Sequence, residues 1–227
     1  MIIYLIVILV ILLALSWTLV PNKVLRVIAG LILTGALLVS TFALTLTIKN
    51  HYGMRKITTT ETKTIYSAGG KESPAGILIV SKLGVKDNRH MVLVYQDKVD
   101  GKAHAHFVPG KKNITEAVKK EAYYRSGNLK QAKLVTKTTR WKWRDENYQR
   151  WFDLGQENEL VKQTNEVVVP KDTWIVVTPK QMKQLQKDMS VSQTDASTMA
   201  ELATLPKDQQ AKLMVTLMKE KLKMLDK

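Results

Sequence analysis

The densest group of side chains able to bind a ligand lies between residues 140 and 151. Its members are Arg140, Trp141, Lys142, Trp143, Arg144, Tyr148, Arg150 and Trp151. Side chains alternate along a β-strand, so the first two tryptophans share one face and the three flanking cations share the other. Aromatic rings stack on bases or sugars, and a row of cations follows phosphates or carboxylates. The pattern predicts an anion-binding surface. The alternative is that the tryptophans face a core and the cations face water.

His104 and His106 have the spacing of metal ligands. Residues two apart on a strand point to the same face, so this pair could supply half of a site. Two ligands do not make a site, the chain contains no cysteine, and no acid close in sequence completes the set. We therefore expect no bound metal and no cofactor.

Catalytic motifs are also missing from the sequence. Residues 68–73 (AGGKES) resemble a phosphate-binding loop, but the first glycine and the hydroxyl residue after the lysine are absent. No G-x-S-x-G, H-E-x-x-H or G-x-G-x-x-G occurs. We expect a protein that is not an enzyme. An envelope hydrolase or transferase is a third hypothesis, which requires folding to gather acids and histidines into one cluster.

The segment 1–48 contains no acid and only two cations, Lys23 and Arg26. About 20 apolar residues in a helix cross a bilayer core, so residues 2–20 and 27–48 predict a transmembrane helix hairpin over 1–48. A cleaved signal peptide would have a basic start and a shorter apolar core. We therefore predict two retained helices and a multi-pass protein of the plasma membrane.

The charges around these helices bear on orientation. Lys23 and Arg26 follow the first helix and favour a cytoplasmic turn, which predicts an extracytoplasmic soluble domain. Four cations after the second helix favour the opposite orientation: Lys49, Arg55, Lys56 and Lys63.

Residues 57–227 carry +10 of the net charge of +15, because the segment 1–56 holds five cations and no acid. A basic surface of this kind predicts an anionic partner. The candidates are the lipid bilayer with its anionic headgroups, an anionic wall polymer and, less favoured, nucleic acid. The alternative is that the lysines only keep the surface soluble.

Residues 49–64 read as a juxtamembrane linker running into a first strand, and 65–190 as one β-rich domain. Hairpin-linked strands predict a mainly antiparallel sheet and an α+β fold class. The predicted strands lie at 77–83, 91–96, 103–108, 133–144, 148–154, 167–169 and 174–177. Asp100-Gly101 signals a hairpin. Helices are predicted at 114–124, capped by Asn113, and at 179–189, capped by Thr178.

Residues 191–227 read as a linker and a C-terminal amphipathic helix. A capping box at Thr198 and Glu201 precedes this helix, which starts at Pro206, and its leucines and methionines fall on one face. The helix 206–227 could lie on an anionic membrane or bind a protein partner. The alternative is that its apolar stripe packs on its own domain.

Five stretches in this order resemble an uncharacterised membrane-protein family of lactic-acid bacteria, catalogued as a domain of unknown function. They are TKTIYSAG at 62–69, KLVTKTTRW at 133–141, VKQTN at 161–165, VPKDTW at 169–174 and KQMKQLQ at 180–186. The resemblance covers about residues 1–190. It implies a bacterial plasma-membrane protein and supplies no ligand or site residues.

The leading hypothesis is a membrane-anchored, non-enzymatic envelope protein that presents a basic β-rich module at the membrane surface. The alternative is a cytoplasmic-facing accessory module that binds a protein partner or nucleic acid, with the 140–151 segment and the C-terminal helix as its contacts.

Overall fold

A computed structural model of the chain describes residues 1–70, 73–84, 88–99, 101–110, 114–191 and 204–225. The helices are α1 Ile2–Leu19, α2 Lys23–Asn50, α3 Ile114–Val118, α4 Glu146–Phe152, α5 Pro179–Val191 and α6 Lys207–Leu225. The strands are β1 Met54–Thr64, β2 Gly76–Lys82, β3 Met91–Tyr95, β4 His104–His106, β5 Lys120–Gly127, β6 Lys133–Trp143, β7 Leu160–Pro170 and β8 Trp174–Val177. The predicted α+β class is confirmed.

The chain divides into two compact units. The first, here called the hairpin unit, comprises Met1–Thr58 and Thr139–Val161. The second, the sheet unit, comprises Thr59–Thr138 and Lys162–Lys227. Among the described strands, one four-stranded sheet has the order β1-β6-β7-β5 and the other β4-β3-β2-β8.

In the hairpin unit, α1 and α2 pack against each other across a tight turn. The Asn22 side chain caps α2 by accepting from the amide of Val24 at 3.0 Å. The Arg26 guanidinium donates to the carbonyl of Val20, at 2.7 Å from Nη2, and so satisfies the C-terminal end of α1. Gly30 is buried, and a Cβ there would lie 3.3 Å from the indole nitrogen of Trp17. A small residue at this position therefore lets the two helices approach closely.

Both helices are long and apolar enough to cross a membrane. Only 11% of the apolar window of α1 and 6% of that of α2 are buried. Helix α2 begins at Lys23, four residues before the predicted start, because Asn22 supplies the cap that the apolar run does not reveal.

In the sheet unit, two parallel strand pairs accompany the predicted antiparallel ones. β2 pairs antiparallel with β3 and parallel with β8, while β5 pairs parallel with β7. The sheets are therefore mixed. A core covers one face of β2 and β3 and contains Ile65, Leu78, Val80, Met91, Leu93, Tyr95, Ala132, Val167 and Val169.

A second core of the sheet unit forms where α5 and α6 pack beside β2 and β8. Its buried members are Ala75, Ile77, Ile175, Val177, Leu185, Met214, Val215 and Met218. The apolar stripe of the C-terminal helix is thus buried against its own unit, which is the alternative considered from the sequence. Leu213 and Met224 of this helix stay exposed.

Two sequence predictions of secondary structure are wrong. A strand was predicted at 148–154, but its first five residues, 148–152, lie in α4, because the Asp145 side chain caps a helix there. The helix predicted at 114–124 ends at Val118, and Lys120–Gly127 joins a sheet as β5, since parallel pairing with β7 overrides local propensity. The Thr178 cap of α5 is confirmed, with the Gln181 amide donating to the Thr178 hydroxyl at 3.2 Å.

Several predictions fall outside the described residues. They are the Asn113 cap, the Thr198 and Glu201 capping box, and Asp100 of the hairpin signal.

Candidate functional site

The segment 140–151, here called the basic-aromatic ribbon, consists of the end of β6 and most of α4. β6 ends at Trp143, and Asp145 then turns the chain into the helix. Its Oδ1 accepts from the amides of Asn147 at 2.9 Å and Tyr148 at 3.2 Å. The predicted alternation is confirmed over the strand part, where Arg140, Lys142 and Arg144 are exposed and the two tryptophans are not.

The two tryptophans of the strand are held by packing. Trp143 is 6% exposed. Trp141 stacks on the ring of His51, with centroids 4.2 Å apart and planes 10° apart, and the Lys56 ammonium lies 5.1 Å from its centroid. Both rings therefore serve the protein's own contacts, which leaves little aromatic surface for stacking on a base or a sugar.

The exposed aromatic side chains lie in α4 and just before β1. Trp151 is 44% exposed and Tyr52 is 52% exposed. Tyr52 meets Tyr148 edge-on, with ring centroids 5.9 Å apart. A side-chain hydrogen bond to Tyr52, together with the charge on that neighbour, raises the pKa of Tyr148.

The cations of the ribbon divide into one that is engaged and three that are open to solvent. Arg140 donates to the carbonyl of Asn158 at 2.7 Å. Lys142, Arg144 and Arg150 are exposed, and none forms an ion pair with an acid in the described part of the chain. The nearby acids have other roles, such as Glu159 with His51 at 3.3 Å. The ribbon therefore presents three exposed cations that form no ion pair among the described residues.

Both helices of the hairpin end against the ribbon. The Met1 amino group donates to the carbonyls of Arg150 at 3.0 Å and Trp151 at 3.1 Å. At the other helix, the Arg144 amide donates to the carbonyl of Gly53 at 3.0 Å, three residues after α2 ends. The ribbon is thus fixed where α1 begins and α2 ends.

Gly53 makes this close approach feasible. Its φ of +80° lies in the left-handed region, and a Cβ there would meet the Tyr148 ring at 2.4 Å. Four residues that contact the ribbon were not predicted as part of the site. They are His51, Tyr52, Gly53 and Lys56. Their only signal was their position directly after the second apolar run.

In the sheet unit, folding adds an acid to the histidine pair. The Asp97 carboxylate lies beside both rings of His104 and His106. Asp97 was not predicted as part of a site, although the predicted pairing of strand 103–108 with strand 91–96 places it close to the histidines. The antiparallel register pairs Tyr95 with His104, which brings Asp97 just beyond the strand end to the imidazoles.

Two grooves of different size and lining lie among the described residues of the sheet unit. The larger, of about 420 Å³, is lined by residues that include His90, Phe107, Glu121 and Asn165. Its polar groups hold the strands together: Glu121 pairs with Lys162 at 2.9 Å, and the Asn165 amide donates to the Glu121 carbonyl at 3.2 Å. The smaller groove, of about 280 Å³, is largely apolar and lies beside the methionines of α5 and α6.

The fold and the ribbon define an α+β protein whose two N-terminal helices can span a membrane and end on a basic, aromatic segment. The chain belongs to the family described as Domain of unknown function (DUF4811), which matches residues 22–185, well over half of the chain. Searches of curated proteins and of solved structures found no match. The resemblance to a family of unknown function is therefore confirmed, and the match begins after the first helix.

Proposed function

We propose that the protein is a membrane-anchored, non-enzymatic protein of the bacterial cell envelope, which presents a basic, β-rich module at the membrane surface. In this proposal α1 and α2 cross the plasma membrane, and the basic-aromatic ribbon binds anionic headgroups. The observation that carries the proposal is the attachment of the ribbon to the ends of both helices.

The exposure of the two helices supports the membrane anchor. A helix in the core of a water-soluble protein buries its apolar stripe. On α1 and α2 the large apolar side chains outside the mutual contact are exposed, as for Leu31 at 69% and Val39 at 70%. Exposure of this extent is favourable in lipid and costly in water.

The attachment of the ribbon sets its depth in the proposed arrangement. Contacts from Met1 and Gly53 hold it where α1 begins and α2 ends. If these helices cross the bilayer as proposed, those ends lie at the bilayer surface. Tryptophan and tyrosine favour this headgroup zone, where a ring is half wet. Trp151 and Tyr52, the exposed aromatics of the site, would therefore lie in the headgroups.

The three exposed cations of the ribbon supply the preference for anionic lipid. A Lys or Arg near an anionic surface contributes about 1 kcal/mol, which is about fivefold in affinity. Lys142, Arg144 and Arg150 offer three such charges, and the larger net charge of the chain acts in the same sense. An anionic wall polymer is a further ligand of the same chemistry.

Lipid selectivity tests the proposal. The full chain is reconstituted into bilayers, and the fraction of spin-labelled phosphatidylglycerol immobilised by it is compared with that of phosphatidylcholine. We expect a preference for the anionic lipid that weakens in salt and falls several-fold in the Arg144→Gln, Arg150→Gln double variant. The matched control is Arg125→Gln in the sheet unit, whose guanidinium already pairs with Glu166 at 2.7 Å. Equal loss in the control, or no selectivity, would overturn the role of the ribbon.

Depth can be measured separately. The chain has no cysteine, so a nitroxide can be attached at Trp151→Cys and, as a control, at Asn128→Cys in the sheet unit. We expect the label at 151 to collide with a headgroup-bound relaxation agent and the label at 128 to collide with a water-soluble one. A label at 151 that is fully accessible from water would contradict the proposed depth.

The alternative function is a cytoplasmic-facing module that binds a protein partner or nucleic acid. In this alternative, residues 206–227 would contact the protein partner. Because Met214 and Met218 are buried in the sheet unit, such a contact would use exposed residues such as Leu213 and Met224. Membrane-impermeant maleimide applied to intact cells separates the two functions. Labelling of Asn128→Cys without labelling of Pro21→Cys supports the extracytoplasmic domain, and the reverse pattern supports the alternative.

A further inference from the structure

Asp97, His104 and His106 form a three-residue cluster at the end of the β3–β4 pair. His104 Nε2 lies 3.2 Å from Asp97 Oδ2, and His106 Nε2 lies 3.9 Å from Asp97 Oδ1. One nitrogen or oxygen of each residue lies within 4.8 Å of the others. The two imidazoles are neighbours on one strand face, with ring centroids 4.1 Å apart. Three potential ligand atoms therefore surround one point.

The hydrogen bond of His104 fixes which nitrogen faces the carboxylate. Its Nδ1 lies 3.2 Å from the carbonyl oxygen of Lys102, and a carbonyl only accepts, so Nδ1 carries the proton. In the neutral imidazole, Nε2 then has a lone pair directed at the Asp97 oxygen. Two acceptors this close repel unless a cation lies between them, either a second proton or a metal ion. A histidine that donates its other nitrogen to a carbonyl is the usual arrangement around a bound metal.

His106 contributes a second nitrogen that lacks a partner. Its Nε2 is buried and has no hydrogen-bond partner among the described residues. The ring is held by stacking on Tyr95, with centroids 3.8 Å apart and planes 2° apart. The stacking therefore orients the imidazole, with its unpartnered Nε2 3.9 Å from Asp97 Oδ1.

We propose that Asp97, His104 and His106 bind a divalent transition-metal ion, with zinc as the best fit. Ligand atoms of a tetrahedral zinc site with bonds of about 2.0–2.1 Å lie about 3.3 Å apart. The 3.2 Å between His104 Nε2 and Asp97 Oδ2 is close to this spacing. His106 Nε2 lies 3.9 Å from the other oxygen, Oδ1, so a small rotation of the exposed carboxylate or imidazole would complete the set. Two imidazoles favour zinc, copper or nickel over calcium and magnesium, which prefer oxygen ligands alone. Three ligands leave at least one position of the ion for water or for a group from another molecule.

Metal titration of the full chain in detergent tests this site. The protein carries no affinity-tag histidines and is first stripped with a chelator. Cobalt(II) is then added, because its visible absorption reports the coordination geometry, and zinc displacement gives the affinity of zinc. We expect one equivalent of cobalt with the intense absorption of a four- or five-coordinate site, complete displacement by zinc, and no displacement by magnesium or calcium.

Matched variants locate the binding. Asp97 and His104 have side chains 56% and 54% exposed, so Asp97→Asn and His104→Ala leave the core untouched. Each of these two substitutions should lower the affinity for zinc by more than about 100-fold. The loss should exceed the 10- to 100-fold that is typical when a residue hydrogen-bonded to a metal ligand is replaced. His90→Gln, outside the cluster, should leave the affinity unchanged.

Three results overturn the proposal. The first is absence of binding, which leaves an imidazolium–carboxylate ion pair of His104 with Asp97 as the whole role of the cluster. The second is equal binding in the wild type and His104→Ala, which indicates adventitious surface binding. The third is equal displacement of cobalt by magnesium, which indicates an oxygen site elsewhere. Far-UV circular dichroism of each variant separates loss of a ligand from loss of the fold.

Discussion

The hairpin unit and the sheet unit treat apolar side chains in opposite ways. In the sheet unit, Leu78, Leu93 and Val167 are fully buried in the first core. In the hairpin unit, Leu31, Leu38 and Val39 are each exposed by about two thirds or more. The hydrophobic effect acts on both sets, so the difference indicates that the two units are suited to different surroundings.

The ion pairs of the sheet unit contrast with the cations of the ribbon. Some described cations of the sheet unit are paired, as in Arg125–Glu166 at 2.7 Å and Lys120–Glu116 at 3.1 Å. Exposed pairs of this kind contribute little to stability. In the ribbon, Arg144 and Arg150 have no acidic partner among the described residues. Unpaired cations beside exposed aromatic rings are suited to an external anionic surface, whereas paired cations already have their counter-ions.

The largest expected effect comes from the same substitution made in the two units. Leu93→Ala should lower the free energy of unfolding by about 2–5 kcal/mol, because it leaves a cavity in a packed core. The Leu38 side chain makes few contacts within the protein. Leu38→Ala should therefore change the free energy of unfolding by less than about 0.5 kcal/mol. Denaturant unfolding in mixed micelles, followed by tryptophan fluorescence, to which Trp174 beside the core contributes, measures both. Similar losses would remove the contrast between the units.

A second pair of substitutions sharpens the comparison at the C-terminal helix. Met218 is 6% exposed and Met224 is 75% exposed on the same helix. Met218→Ala should cost about 2 kcal/mol or more, since its side chain is part of the second core. Met224→Ala should be nearly neutral in the same unfolding measurement. If Met218→Ala were neutral, α6 would not be packed on the sheet unit, and its apolar stripe would be available to a membrane or a partner.

Gly53→Ala tests the attachment of the ribbon. The new Cβ would require a left-handed backbone and a position 2.4 Å from the Tyr148 ring, so we expect a loss of about 1–3 kcal/mol. Gly35→Ala is the matched control, because nothing lies within 4 Å of its Cβ. Alanine there should be neutral or slightly stabilising through helix propensity. Increased proteolysis between residues 145 and 155 in Gly53→Ala alone would support the attachment, and equal proteolysis would count against it.

The smallest expected effects come from the helix caps, one in each unit. Asp145 caps α4 and Thr178 caps α5. Replacing either with alanine should cost about 1 kcal/mol. The consequences should differ, because only Asp145→Ala loosens the helix that contacts Met1. A larger depth change of a nitroxide at position 151 in Asp145→Ala than in Thr178→Ala is the expected result. Equal changes would mean that α4 is not what holds the ribbon at the helix ends.

Features with a strong local signal were predicted well from the sequence. The β6 strand was predicted at 133–144 and lies at Lys133–Trp143, because an alternating run of β-branched, basic and aromatic residues suits a half-buried strand. Thr178 and Pro179 likewise mark the start of α5. The failures lie where local signals compete. Lys120–Gly127 could continue a helix, and its conformation is decided by pairing with β7, a segment remote in sequence.

The candidate sites show the same division. The composition of the ribbon was evident from the sequence, but its attachment to Met1 and Gly53 was not. For the histidine pair, the spacing of His104 and His106 was visible in the sequence. The position of the third residue, Asp97, depended on where the chain turns between β3 and β4. Hydrogen bonds and ion pairs between distant residues depend on strand register and turn geometry, which composition does not encode.

The sequence by itself determined the two apolar helices, the α+β class and the excess of positive charge, because length, periodicity and composition act locally and additively. Only the tertiary structure decided three further features. It fixed the ribbon to the ends of both helices, buried the stripe of α6 in its own unit, and brought Asp97 to the two histidines. Each of these features depends on packing between segments that are remote in sequence. A shift of one residue in strand register would change which side chains meet.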